Sequence, residues 1–298
     1  MFERFDTRDV AVNGTVIRCR VGGSGPALLL LHGHPQSHVM WHRVAPTLAE
    51  KFTAVCADLR GYGDSARPGA SPHHAAYSKR TMAQDMADLM TSLGFQQFRL
   101  AAHDRGARVA HRLLLDHPGR VQRAMLLDIA PTLAMYEQTT EAFAKAYWHW
   151  FFLIQPAPLP ERLIDADPAA YIRDVMGRRH AGLAAFAPEA LQEYLRCIAI
   201  PGTATAICED YRASAALDLE HDRAGRAAGE RVRQPLRVLW GERGAVGKNF
   251  DVLGLWRAVA DDASGGPLAG AHYLAEESPD ALLAQARAFF GWDAAPGR

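Results

Sequence analysis

Residues 8–21 alternate between apolar and polar side chains around Asn13-Gly14. A period of two marks a half-buried strand, and Asn-Gly suits a tight hairpin turn, so two antiparallel strands are expected. The pattern then changes to an unbroken aliphatic run at 27–31, the mark of a strand buried on both faces of a parallel sheet. Residues 52–57, 98–102 and 124–127 repeat that pattern, separated by helical spacing near 42–50, 81–93 and 107–117. Strand–helix alternation of this kind predicts a doubly wound, mostly parallel α/β sheet.

The alternation stops after Asp128. Residues 132–215 are helix-like and rich in aromatics, with Pro156, Pro158, Pro160, Pro168, Pro188 and Pro201 and no buried strand run. The α/β pattern resumes at 236–240, with a helix near 250–260, a short strand near 267–269 and a helix near 279–290. The expected architecture is an eight-stranded, mostly parallel sheet flanked by helices, with a helical cap inserted after the sixth strand. Residues 1–131 and 217–298 form the core, and 132–216 form the cap. Ligands of such sheets bind at the carboxyl ends of the strands, where the insertion would act as a lid.

Composition narrows the class. The 298 residues carry 33 basic and 33 acidic side chains, so no basic excess points to nucleic acid. With 49% apolar residues, disorder is excluded as the dominant state. Cys19, Cys56, Cys197 and Cys208 lack metal-type spacing and read as reduced core thiols of a cytoplasmic protein. Met1 to Asp6 shows no charged leader before an apolar stretch, and the run at 27–31 is too short to span a membrane.

The chemistry should sit where the third buried strand meets a helix, at Ala102-His103-Asp104-Arg105-Gly106. Small residues on both sides of a central side chain allow a sharp strand-to-helix turn that exposes a nucleophile. Here that residue is Asp104, whose carboxylate would attack carbon and form an ester. The plainer reading is an Asp N-cap. Hydrolysis of an ester needs a base, an orienting carboxylate and an oxyanion hole. His272, just past the last strand, is the candidate base. Asp128, at the end of its strand, is the candidate orienting acid, with Glu242 in reserve. The backbone amides of His34 and Arg105 are the candidate oxyanion donors.

The order Asp104, Asp128, His272, with HGHPQS at 32–37 and DLRGYGDS at 58–65, resembles the α/β-hydrolase fold. Within it, HDRGARVAHR at 103–112 and YWHWF at 147–151 resemble the fluoroacetate (haloacetate) dehalogenases. The resemblance spans about residues 10 to 290. It implies two-step hydrolysis of 2-haloacetates to glycolate and halide, without metal or organic cofactor, in a homodimer. It also implies a halide pocket made by His149, Trp150 and Tyr211, whose ring N–H and hydroxyl groups can donate to a departing halide.

Arg105 and Arg108 lie on the first turn of the helix that starts at the elbow. Two guanidiniums beside one carboxylate call for further negative charge, which a bidentate substrate carboxylate would supply. Acidic side chains elsewhere in the chain are the other possible source. The family likeness has one departure: His34 stands where an apolar residue is expected. Two rivals stay open. An epoxide hydrolase shares the Asp and His-acid core and uses lid tyrosines, for which Tyr136, Tyr147, Tyr171, Tyr194 and Tyr211 are available. A non-catalytic binding protein on the same fold would be expected to carry a broken triad.

Overall fold

The computed structural model describes residues 1–178 and 182–292. Arg179, His180 and Ala181 of the expected cap, and the last six residues of the expected core, lie outside the described residues. The hairpin forms as expected, with β1 at Phe5–Val12 and β2 at Thr15–Gly22. Its turn places Asn13 at φ 42° and Gly14 at φ 71°, the left-handed pair that a two-residue hairpin demands. Along β2, Thr15, Ile17 and Cys19 are buried while Val16 faces outward, so the alternation in the sequence maps onto the two faces.

The aliphatic runs become β3 (Ala27–Leu31), β4 (Thr53–Ala57), β5 (Phe98–His103) and β6 (Val121–Leu127). After the helical insertion come β7 (Leu236–Gly241) and β8 (Ala263–Leu268). The eight strands are ordered β1-β2-β4-β3-β5-β6-β7-β8. Only the β1–β2 and β2–β4 pairings are antiparallel. β3 lies between β4 and β5, which is why all five of its side chains are buried apolar residues.

Two elements differ from the sequence reading. The helix expected near 42–50 shrinks to one α-helical turn, Ala45–Leu48, preceded by the 3-10 turn His38–Trp41. β8 starts earlier than expected, because Ser264-Gly265-Gly266-Pro267 reads locally as a loop. It forms a strand because Gly265, at φ 145°, lets the chain lie against the Val238 backbone, and because an edge position tolerates Pro267.

Between β6 and β7 the described chain is entirely helical, from Thr132–Glu137 to Leu217–Ala227. These helices follow directly from the end of β6, so the insertion starts at the carboxyl edge of the parallel strands. The four cysteines are buried and free. No helix among the described residues is long and apolar enough to cross a membrane.

Candidate active site

Asp104 opens the helix Asp104–Asp116 directly after β5, at φ 43°. A left-handed backbone is costly for a residue with a side chain, and it marks a sharp, over-determined turn. The neighbours explain how the turn is tolerated. A Cβ on Gly106 would strike the His32 carbonyl and sit 2.7 Å from Leu31 Cβ; one on Gly33 would come within 2.9 Å of the Asp104 Oδ2. The small residues are therefore required by close backbone approach. This geometry is that of a nucleophile elbow rather than a plain N-cap.

The His34 backbone N–H donates to Asp104 Oδ2 at 3.0 Å. The loop that carries it is fixed by the two motifs singled out in the sequence. The Leu59 amide donates to His32 Nε2 at 3.0 Å, and the His38 amide donates to Asp58 Oδ1 at 2.7 Å. Arg105 is next to Asp104 on the first turn, so its amide belongs to the group of N–H donors at the helix start.

His272 and Asp128 meet across the ends of β6 and β8. His272 Nδ1 lies 2.6 Å from Asp128 Oδ2, and the Gly241 amide donates to Asp128 Oδ1 at 3.0 Å. Glu242, the reserve acid, is exposed, so the carboxylate that meets the histidine is that of Asp128. Asp104 is almost fully buried, which alone would raise its pKa. His272, His103, Arg108 and Arg105 outweigh that effect and hold the carboxyl well below the usual carboxylate range. A buried carboxyl whose surroundings favour its ionised form, set at an elbow, is equipped for nucleophilic attack.

The arginines do not form one symmetric pair. Arg105 Nε donates to Asp210 Oδ2 at 2.9 Å, and its Nη2 donates to Asp210 Oδ1 at 2.8 Å and to Ser214 Oγ at 2.6 Å. Lys79 Nζ binds the same Asp210 carboxylate. The charge argument from sequence is therefore corrected for Arg105. Its countercharge is a buried aspartate within the chain, and only Nη1 lies outside these contacts. Arg108 differs: Nη1 donates to Thr132 Oγ1 at 2.8 Å, Nη2 lies 3.2 Å from Met135 Sδ, and Nε has no partner among the described residues. Burial, then the charge of Arg105, lowers its pKa, while Asp104 pulls it back up. Arg108 is thus a buried cation whose nearby anion is Asp104.

The helices between β6 and β7 supply an aromatic wall. The His149 and His34 rings lie nearly parallel at 5.9 Å, and Tyr211 stands edge-on to His34 at 5.3 Å. Arg105 sits 4.1 Å over the Tyr211 ring, and Arg108 sits 4.6 Å over the Trp150 ring. The Trp150 indole N–H and the Tyr211 hydroxyl are buried and meet no acceptor among the described residues. A buried donor left unpaired costs about 1–3 kcal/mol. Two of them beside buried guanidiniums make a place where an anion would be welcome. The His34 side chain reaches the cap as well, with Nε2 3.0 Å from the Tyr171 hydroxyl.

Several residues of the site were not singled out from sequence. Asp210 sits inside the Glu209-Asp210-Tyr211-Arg212 motif, but nothing local distinguishes an aspartate that pairs with Arg105 from a surface one. His103 Nε2 donates to the His272 carbonyl at 2.8 Å; burial, then repulsion from His272, pulls its pKa down to about 3. Glu277 accepts from the amides of Ala271, His272 and Tyr273, fixing the loop that carries His272. Among the described residues, no group of three or more His, Cys, Asp or Glu side chains could hold a metal ion.

Comparison with known proteins agrees with this geometry. Residues 26–277 match the family model described as alpha/beta hydrolase fold. A fluoroacetate dehalogenase from Burkholderia sp is 45% identical over 281 residues, covering 94% of this chain and 92% of that protein. A soluble epoxide hydrolase from Corynebacterium sp. (strain C12) is 32% identical, covering 94% and 95%. A solved structure from Nostoc sp PCC 7120, described as an alpha/beta hydrolase, has a TM-score of 0.94 at 51% identity, covering 97% of this chain and 99% of that one. The chain belongs to the alpha/beta hydrolase family.

Proposed function

We propose that the protein is a haloacetate dehalogenase, converting 2-haloacetates such as fluoroacetate to glycolate and halide. The observation that carries this reading is Arg108, a buried guanidinium with no carboxylate of its own beside an ionised Asp104. A small carboxylate substrate supplies the missing charge; a neutral epoxide does not.

In the first step the substrate carboxylate binds Arg108 and the remaining Nη1 of Arg105. Asp104 attacks the α-carbon from behind, the C–O bond forms, and halide leaves with the bonding electrons. Trp150 Nε1, the Tyr211 hydroxyl and the His149 ring donate to the departing ion, which matters most for fluoride, a poor leaving group. In the second step His272 takes a proton from water, and the hydroxide adds to the carbonyl carbon of the Asp104 ester. The amides of His34 and Arg105 hold the oxyanion, and Asp128 stabilises the imidazolium. Collapse releases glycolate, with His272 returning the proton to the alkoxide, and regenerates Asp104. No residue in this sequence requires a metal or organic cofactor. The cap at 132–216 closes the site over the core, and the reading includes a cytoplasmic homodimer, whose oligomeric state sedimentation would measure.

A second reading has a specific observation behind it. Tyr171 and Tyr211 both flank His34, at ring distances of 5.9 and 5.3 Å, so two tyrosines stand near one side of the site, as an epoxide hydrolase's acids would. Halide release from fluoroacetate and chloroacetate, assayed beside diol formation from styrene oxide, separates the two. Halide without diol is the expected result. Diol without halide would transfer the role of acid to the tyrosines and sink the haloacetate reading.

A further inference from the structure

A cavity of about 420 Å³ opens between the helices that follow β6 and the loop after β7. Its inner wall includes His149 and His272, and Asp104, Arg105, Arg108 and Tyr211 are not part of its lining. Its outer wall carries Lys145, Arg178, Arg243 and Lys248, and among the described residues lining it there is no Asp or Glu. The chain as a whole is neutral, so this is local segregation of charge rather than a general excess. Lys145 and Arg178 are partly offset by neighbours on their own helices, Glu141 and Asp174. Arg243 and Lys248 are exposed, and neither forms an ion pair among the described residues.

We propose that this vestibule is an anion-collecting antechamber, in which a small carboxylate is held near Arg243 and Lys248 before it passes the two histidines to Asp104. The proposal rests on the haloacetate reading for the identity of its cargo. The physics is that of a one-sign cleft with low-dielectric walls, which focuses the field and raises the local concentration of the opposite ion. The cavity is far larger than a haloacetate needs, which suits a solvated waiting position better than a second tight pocket. Held ions keep much of their water, so the attraction is moderate and is screened by salt.

Two measurements on Arg243→Gln/Lys248→Gln test this. Trp148 lines the cavity, and its emission is isolated by subtracting a Trp148→Phe protein. At low ionic strength, iodide should quench Trp148 more strongly than neutral acrylamide does, relative to free tryptophan. The double variant should lose that iodide preference while acrylamide quenching stays the same. A charge-keeping control, Arg243→Lys/Lys248→Arg, should retain it. For chloroacetate, KM should rise roughly three- to tenfold in the double variant, the size expected of two exposed charges, with kcat unchanged. Added salt should erase the difference. Iodide quenching that is the same in wild type and double variant would overturn the antechamber. A wild-type protein that releases no halide would instead overturn the haloacetate reading, and the quenching experiment would still decide the antechamber.

Discussion

The acidity of Asp104 is set by what surrounds it rather than by its type. Burial pushes its proton affinity up, and the neighbouring histidines and arginines push it down further than burial raises it. Its carboxyl is therefore held below the usual carboxylate range, and an acid limb of activity near neutral pH would belong to another group. Asp104→Asn removes the nucleophile and should abolish turnover; continued halide release by the pure variant would remove Asp104 from the mechanism. His272→Asn leaves the first step intact and blocks the second. One equivalent of halide per chain should then be released, with a carboxymethyl adduct on Asp104 by mass spectrometry. Steady turnover without an adduct would show that His272 is not the base. The positions of Asp104 and His272 just past strand ends were readable from the sequence. The pairing of Arg105 with Asp210 was not, because 105 positions separate them and the contact is made only when the helices after β6 pack against the elbow.

The turn from β5 into the helix Asp104–Asp116 is the element on which the site depends. Its strain, with Asp104 at φ 43°, is sustained by close contacts with the Leu31–Gly33 backbone at the end of β3. Gly106→Ala places a methyl group against the His32 carbonyl, which backbone movement must relieve. The expected cost is about 1–3 kcal/mol of stability. Because the movement also shifts Asp104 from the His34 amide, kcat should fall by more than the loss of folded protein explains. A variant with unchanged melting temperature and full kcat would show that the elbow tolerates a Cβ there. Small residues around the nucleophile could be read as a turn signal from sequence. The identity of the surface they press against required the β3–β5 pairing.

At the level of the assembled chain, one buried carboxyl ties cap to core. Glu276 accepts from Gln36 Nε2 in the loop beside His34 and from the hydroxyl of Tyr194, 3.1 Å away on the cap helix Pro188–Ile198. Burial pushes its pKa up to about 8, against the lowering effects of Tyr194, Gln36 and Arg43. The folded state thus binds this proton more tightly than the unfolded state does. Its contribution to stability is full below the unfolded value of 4.5 and is lost as the pH rises to about 8. The scale of that loss is on the order of a few kcal/mol. Glu276→Gln keeps the hydrogen-bonding shape without the ionisation. Between pH 5 and 8 the wild-type melting temperature should fall more steeply than that of the variant. Parallel curves would show that Glu276 does not titrate in this window.

The sequence by itself determined the sheet, the place of the helical insertion and the positions of Asp104, Asp128 and His272 along the chain, because these follow from local patterns. Unbroken aliphatic runs can only be satisfied in the middle of a parallel sheet, and Asn13-Gly14 permits little besides a hairpin. Asp104, Asp128 and His272 stand at strand ends, so their convergence follows once the strands are parallel. Tertiary structure decided which charges neutralise one another. It assigned Asp210 to Arg105 and Lys79, left Arg108 without a carboxylate of its own, passed over exposed Glu242 in favour of Asp128, and turned Ser264-Gly265-Gly266-Pro267 into an edge strand. The physical reason is range. Hydrophobic periodicity acts over a few residues and is written along the chain, whereas a buried ion pair depends on which distant segments share one low-dielectric space.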